Sequence, residues 1–251
     1  MKIIINGANG RMGKVLTECA KARGFEISAL VDVFGDANKE YPFYSSLSEV
    51  NEKADVLVDF SNHSATPDIC AFVKRTGMPS VIASTGHNET ELAMINELSK
   101  DYPVFRSRNM SLGVNVLIEL CKNAVRALGG DCDIEIIEKH HRTKLDAPSG
   151  TALMIAEAIN EALPENYGFV YDRTGRREVR PKNEIGISSI RAGGIFGEHE
   201  ILISRSGETL TLKHTAENRS LFAEGALTAA EYIAKKKNGL YSMKDLLSEG
   251  V

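Results

Sequence analysis

Three β-branched residues, Ile3-Ile4-Ile5, open directly onto Gly7-Ala8-Asn9-Gly10-Arg11-Met12-Gly13. Behind that turn Met12, Val15, Leu16 and Cys19 recur at helical spacing. A strand, a GxxGxxG turn and a helix in that order leave few folds open. The first glycine allows a tight turn, the middle one lets backbone approach a pyrophosphate, and the last permits close helix–strand packing. The helix start adds N–H groups and positive potential. Asp32 ends the next apolar strand, where a carboxylate suits the hydroxyls of an adenine ribose. Together these features predict a dinucleotide-binding domain. The alternative is a tight turn that binds nothing, with Asp32 a solvated strand end. A carboxylate at Asp32 repels a 2′-phosphate, and Val33 rather than an arginine follows it, which favours NADH. Arg11 could reach a phosphate and keeps NADPH open.

The alternation continues for the first third of the chain. Strands are expected at 26–32, 56–59, 80–83 and 104–106, with helices at 12–21, 65–75 and 89–99. That pattern predicts βαβ units and a doubly wound parallel sheet. It then changes. A helix at 114–128, a strand at 133–140 and a helix at 151–162 precede a polar stretch at 164–184, read as a loop. Strands at 185–191, 198–204 and 209–215 then suggest an antiparallel meander, so the second domain is expected to be α+β with a mixed or antiparallel sheet. A last helix covers 221–235. Pattern alone does not say whether it packs on the first domain.

At 251 residues, 30 Lys plus Arg against 34 Asp plus Glu give a net charge of −4, which offers no general attraction to nucleic acid or an anionic membrane. No apolar run approaches the ~20 residues of a membrane span. Ile3 to Ile5 is too short for a secretory signal. Cys19, Cys70, Cys121 and Cys132 have no CxxC spacing and read as reduced thiols, so a cytoplasmic protein is expected, with no metal site.

The densest chemistry lies in Glu138-Lys139-His140-His141-Arg142-Thr143-Lys144-Leu145-Asp146-Ala147-Pro148-Ser149-Gly150-Thr151-Ala152. Two histidines and a lysine sit at a strand end, and Ser149, Gly150 and Thr151 begin a helix whose N–H groups and hydroxyls suit a carboxylate or phosphate. His140, His141 and Lys144 can each move a proton. The segment reads as a site for a small anionic substrate beside a proton donor. Taken singly, a basic run is a solvated face and Pro-Ser-Gly-Thr an ordinary helix start. His199 and His214 are read as structural strand histidines, His63 and His87 as loop residues, and Arg173, Arg176, Arg177, Arg180 and Lys182 as a solvated loop rather than a substrate-steering one.

The chain resembles the dihydrodipicolinate (4-hydroxy-tetrahydrodipicolinate) reductase family. The stretch 138–152 is similar to E-x-H-H-x-x-K-x-D-A-P-S-G-T-A at every fixed position. Gly7 to Gly13, Asp59-Phe60-Ser61, Ser84-Thr85-Gly86, Asn109 to Asn115, Arg191-Ala192-Gly193, Gly197-Glu198-His199 and Gly239 to Met243 extend the likeness over nearly the whole chain. The resemblance implies NADH- or NADPH-dependent reduction of a cyclic dicarboxylate in lysine and diaminopimelate biosynthesis, by a cytoplasmic homotetramer built through the second domain's sheet. It implies cofactor contacts at Gly7, Ala8, Asn9, Gly10, Arg11, Met12, Asp32, Ala83, Ser84, Thr85, Ser107, Arg108, Asn109 and Met110. The implied proton donors are His140 and Lys144, and the implied substrate contacts His141, Gly150 and Thr151, to which the helix-start reading adds Ser149. Two positions depart from the family pattern: Ala83-Ser84 replaces Gly-Thr, and Met110 replaces Phe. The expected division is 1–109 with 217–251 for the cofactor and 110–216 for substrate and assembly. A redox-sensing module without turnover would not need the cationic segment, and a dehydrogenase of an amino or hydroxy acid would share the glycine turn but not residues 140–151.

Overall fold

A computed structural model describes residues 1–35 and 40–250. The chain forms two compact units, Met1–Leu112 with Arg219–Val251, and Gly113–Asn218.

The first unit holds a seven-stranded parallel sheet. Its strands are β1 (Lys2–Asn6), β2 (Glu26–Val31), β3 (Phe43–Tyr44), β4 (Val56–Asp59), β5 (Ser80–Ile82), β6 (Pro103–Arg106) and, late in the chain, β12 (Gly239–Tyr241), in the order β12-β6-β5-β4-β1-β2-β3. β1 lies in the interior of the sheet, between β4 and β2, and is buried on both faces, which is why it reads as an unbroken apolar run. Ile3 and Ile5 face Leu16 and Ala20 of α1 (Arg11–Ala22). Ile4 faces the opposite cluster, with Ile69 and Phe72 of α2 (Thr66–Thr76) and Ile95 of α3 (Glu89–Ser99).

The late helix α6 (Ser220–Ile233) belongs to this unit, beside α1. Ala223, Ala226, Leu227, Ala229, Ala230 and Ile233 join the Ile3–Ile5 cluster. Arg23, at the end of α1, donates to Glu224, Thr228 and Glu231. The helix α7 (Met243–Glu249) closes the unit with a capping box between Ser242 and Asp245. β3, β12 and α7 are absent from the sequence reading, because elements of two, three and seven residues carry too little periodicity.

The second unit stacks α4 (Leu112–Leu128) and α5 (Gly150–Ala162) on one face of a five-stranded sheet, through Val114, Leu117, Cys121, Ile155 and Ile159. Its strands are β7 (Asp133–His140), β8 (Gly168–Val170), β9 (Glu184–Arg191), β10 (Gly197–Arg205) and β11 (Glu208–Ala216), in the order β11-β10-β7-β9-β8. The expected meander is only partly present. β10 and β11 form an antiparallel pair, but β9 runs parallel to β7 on the far side, so β9 and β10 are not neighbours. The connection between them wraps the end of β7, where the Ala192 N–H donates to the His140 carbonyl and the Arg142 N–H to the Gly193 carbonyl.

The stretch expected as a loop at 164–184 contains β8, and Arg173, Arg176 and Arg180 within it are not a solvated run. Arg173 donates to both oxygens of Glu135 and to Glu184, Arg176 donates to Glu184, and Arg180 reaches Glu135 and Asp133. Carboxylates at the starts of β7 and β9 neutralise them and staple the loop down. Burial alone would raise the Glu184 carboxyl, but Arg173 and Arg176 outweigh it and hold it below the usual range.

Gly225, inside α6, lies against the Met110 backbone; a Cβ there would come 1.8 Å from the Met110 carbonyl oxygen. An exposed Gly→Ala change in a helix gains about 1 kcal/mol. Gly225→Ala is expected to do the reverse and cost about 2 kcal/mol through overpacking. A denaturation midpoint equal to or above that of the parent refutes this.

Candidate active site

In the first unit the turn after β1 is built by close backbone approaches. Gly7 has φ +80°, and a Cβ on it would sit 2.6 Å from the Ser61 nitrogen. A Cβ on Gly13 would come 2.1 Å from the Gly7 carbonyl, so the third glycine lets α1 close on the turn. The N-cap of α1 is Gly10, and no side chain caps the helix start. Asp32 follows β2. Its Oδ2 accepts the Asn9 N–H at 2.8 Å and its Oδ1 the Phe34 N–H at 2.9 Å. A carboxylate offers about four acceptor positions, so each oxygen retains one. Gly7, Asn9, Gly10, Asp32, Phe34 and Ser61 line a cavity of about 490 Å³. An uncapped helix start, a carboxylate with spare acceptor positions and an exposed aromatic ring at one cavity fit a dinucleotide.

The ends of β1, β4 and β5 meet on one buried carboxylate. Asp59 is fully buried and accepts from Asn6 Nδ2 at 2.8 Å, the Ser61 N–H at 3.1 Å and Ser84 Oγ at 2.7 Å. Burial raises its pKa, and these donors oppose the shift. Ser84 is thus a strut, while Thr85 is exposed and Ala83 lies in the core. Ser107 Oγ donates to the Asn109 carbonyl, and Asn109 Oδ1 accepts the Ser111 N–H. Arg108 is exposed and the Met110 side chain is buried in the core. Ala8, Arg11, Met12 and the segments 83–85 and 107–110 lie outside the cavity lining. His63 pairs with Glu91, and both ring nitrogens of His87 are buried without a partner among the described residues, so neither is a plain loop residue.

In the second unit the end of β7 gathers a polar cluster. Glu138 is fully buried. It accepts from Arg191 Nη1 and Nη2, both at 2.8 Å, and from the Ser149 N–H at 3.1 Å, and its Oε2 lies 2.6 Å from His140 Nδ1. Burial alone would raise this carboxyl; His140, Arg191, Ser189 and the Ser149 N–H outweigh it and hold Glu138 far below the usual range. The His199 ring stands edge-on to His140 at 5.3 Å, and its Nε2 lies 3.1 Å from Ser149 Oγ. Burial, and next the neighbouring His140, push the His199 imidazole down to about 3, so it is neutral.

The site residues expected in this unit divide into two groups. His140 is buried at the strand end. Ser149 is also buried, and its Oγ accepts the Ala152 N–H as the cap of α5 while facing His199. The Ser149 hydroxyl is therefore committed inward and does not form part of an open cradle. His141, Lys144, Gly150 and Thr151 retain exposure. His141 Nδ1 lies 2.8 Å from Thr143 Oγ1, and Lys144 Nζ pairs with Asp146 at 2.8 Å. The sequence reading assigns no role to Glu138 and Arg191 and takes His199 as structural. The buried carboxylate and the Gly-Glu-His strand were visible there, but their convergence depends on β9 and β10 flanking β7.

Comparison with known proteins identifies the family. The family model described as dihydrodipicolinate reductase, N-terminus, matches residues 1–110, and the one described as dihydrodipicolinate reductase, C-terminus, matches residues 113–247. The chain is 49% identical over 251 residues to the 4-hydroxy-tetrahydrodipicolinate reductase of Caldanaerobacter subterraneus subsp. tengcongensis, covering 100% of this chain and 99% of that one. It is 43% identical over 247 residues to the enzyme of the same name from Clostridium novyi, covering 98% of each. Its fold is similar to the solved dipicolinate-bound dihydrodipicolinate reductase of Paenisporosarcina sp. TG-14, with TM-score 0.83, 24% identity and coverage of 98% and 99%. The chain belongs to the dihydrodipicolinate reductase family and is an NAD(P)H-dependent oxidoreductase that reduces 4-hydroxy-tetrahydrodipicolinate in lysine and diaminopimelate biosynthesis.

Proposed function

We propose that the first unit binds the cofactor, that the second binds the dicarboxylate substrate, and that His140 and Lys144 supply the proton of the reduction. The observation that carries this reading is the buried end of β7, where His140 is held by a carboxylate and the partly exposed Lys144 and the start of α5 follow in sequence. When bound, NAD(P)H supplies a hydride to the conjugated ring carbon of the substrate. His140 or Lys144 then balances that hydride with a proton. His141 and the N–H groups of Gly150 and Thr151 receive substrate carboxylate, and Lys144 exchanges Asp146 for it. Cationic groups here stabilise the charge that develops as the ring is reduced. Gly7, Asn9, Gly10 and Asp32 hold the cofactor around the cavity at α1, and the Ala83–Thr85 and Ser107–Met110 segments, outside that cavity, contact the part of the cofactor that extends beyond it.

His140→Gln and Lys144→Ala are each expected to lower kcat by about 10²-fold, the usual scale of a general acid, with NADH affinity nearly unchanged. Stopped-flow turnover and fluorescence titration of NADH separate the two effects. Full activity in both variants removes them from the mechanism.

NADH is the favoured cofactor, because Asp32 keeps acceptor positions for ribose hydroxyls and would repel a 2′-phosphate. Asp32→Ser should shift the ratio of kcat/KM toward NADPH, and Arg11→Ala should shift it toward NADH. Measured at one ionic strength, a parent that prefers NADPH tenfold, with no change in Asp32→Ser, contradicts this assignment.

The enzyme is further read as a cytoplasmic homotetramer. All four cysteines are free thiols. Among the described residues no helix is long and apolar enough to cross a membrane. The face of the second unit's sheet away from α4 and α5 carries Ile190, 42% exposed, among half-exposed residues of β7 and β10, which supports assembly through that face. Sedimentation should give four times the 27.4 kDa chain mass; a monomer at micromolar concentration refutes the tetramer.

A further inference from the structure

The contact between Glu138 and His140 contains enough information to assign a proton. Glu138 is ionised, since its carboxyl is held far below the usual range while fully buried. An ionised carboxylate has no hydrogen to donate. Every other group around it donates: two guanidinium N–H groups of Arg191, the backbone N–H of Ser149 and the Ser189 hydroxyl. The hydrogen in the 2.6 Å contact with His140 therefore sits on Nδ1. Nε2 is left as the nitrogen that gains and loses a proton. It faces the start of β10 at a position without a side chain, since a Cβ on Gly197 would come 3.1 Å from it. His199, the ring packed against His140, is neutral, and its Nε2 lies 3.1 Å from Ser149 Oγ rather than on the carboxylate.

We propose that Glu138, itself fixed by Arg191, is the positioning residue that locks His140 with its proton on Nδ1 and presents Nε2 to the substrate. This rests on the reading of His140 as a proton donor. The arrangement works as a carboxylate–imidazole pair does in other acid–base sites: the carboxylate selects the tautomer, fixes the ring plane and stabilises the imidazolium from which the proton leaves. Glu138→Gln offers His140 an amide NH₂, which would force the proton to Nε2 when the ring is neutral, and it would remove the carboxylate that pairs with Arg191.

The test uses the full-length enzyme in two measurements. In the first, kcat, KM and NADH affinity are compared for the parent, Glu138→Gln, His140→Gln and the double variant, with far-UV circular dichroism as the check on folding. Glu138→Gln should lower kcat by about 10²-fold with KM and NADH affinity nearly unchanged. The double variant should be no slower than His140→Gln alone, because both changes disable one group. In the second, the parent is labelled with ¹⁵N in its histidine rings, and the His140 signals are assigned by their loss in His140→Gln. In the neutral ring Nδ1 should resonate as a pyrrole-type nitrogen and Nε2 as a pyridine-type one.

Full activity in His140→Gln would overturn the proton-donor reading itself. An impaired His140→Gln together with a fully active Glu138→Gln, or a double variant slower by the product of the singles, would overturn the role of Glu138 and leave His140 in place. If Glu138→Gln does not fold, the labelled parent decides alone: a pyridine-type Nδ1 refutes the proposal.

Discussion

Arg191 closes on Glu138 through two parallel N–H···O bonds of 2.8 Å, on a carboxylate with no exposed surface. Removing one partner of such a buried pair costs about 3–5 kcal/mol, because the other charge is left uncompensated. The pair therefore ties the far end of β9 to the end of β7. The Ser149 N–H on the same carboxylate adds the start of α5, and the Arg191 Nη2 bond to the Asp146 carbonyl adds the loop between them. Three separate elements and the chemically dense segment 140–149 are thus referred to one charge. The crossing of the chain from β9 to β10 around the end of β7 brings Gly197 and His199 to the same place.

The first unit uses the same device with different chemistry. Asp59 is also a fully buried carboxylate at strand ends, and it collects Asn6, Ser61 and Ser84 from the ends of β1, β4 and β5. Its donors are neutral, so burial prevails and its pKa rises, whereas His140 and then the Arg191 guanidinium drive the Glu138 carboxyl down. The difference suits the tasks. A strut beneath a glycine turn needs only to hold backbone, while a carboxylate beside an imidazole must stay ionised to stabilise the cation.

The parts of the structure legible from sequence are those with a local cause. β7 spans Asp133–His140 as its alternation predicts, and α3 spans Glu89–Ser99 because Asn88 and Glu91 form a capping box at its start. The glycine turn is legible because each glycine answers a steric demand of that turn. What stayed hidden depends on strand order. Alternation in β9 and β10 is the same whether they are neighbours or flank β7, so a meander and the observed mixed sheet look alike in one dimension. Arg173, Arg176 and Arg180 looked solvated because Glu135 and Glu184 are distant in sequence from one another. Ser149 looked like an open hydroxyl, since nothing local announces that His199 covers it.

β9 joins the two kinds of buried charge in the second unit. At its start Glu184 is surrounded by Arg173 and Arg176, and at its end Arg191 grips Glu138. Both carboxyls are depressed, Glu184 by Arg173 and Arg176 and Glu138 by His140 and then Arg191, so both contribute stability above the ordinary carboxylate range and lose it as pH falls through their folded values. They differ in what fills the remaining acceptor positions. Around Glu184 the charged donors are guanidinium groups, which do not titrate, and the cluster can only hold the loop in place. Around Glu138 one acceptor position goes to an imidazole, a group that can pass a proton on. That single exchange of a guanidinium for a histidine turns a structural ion pair into one that can govern a proton.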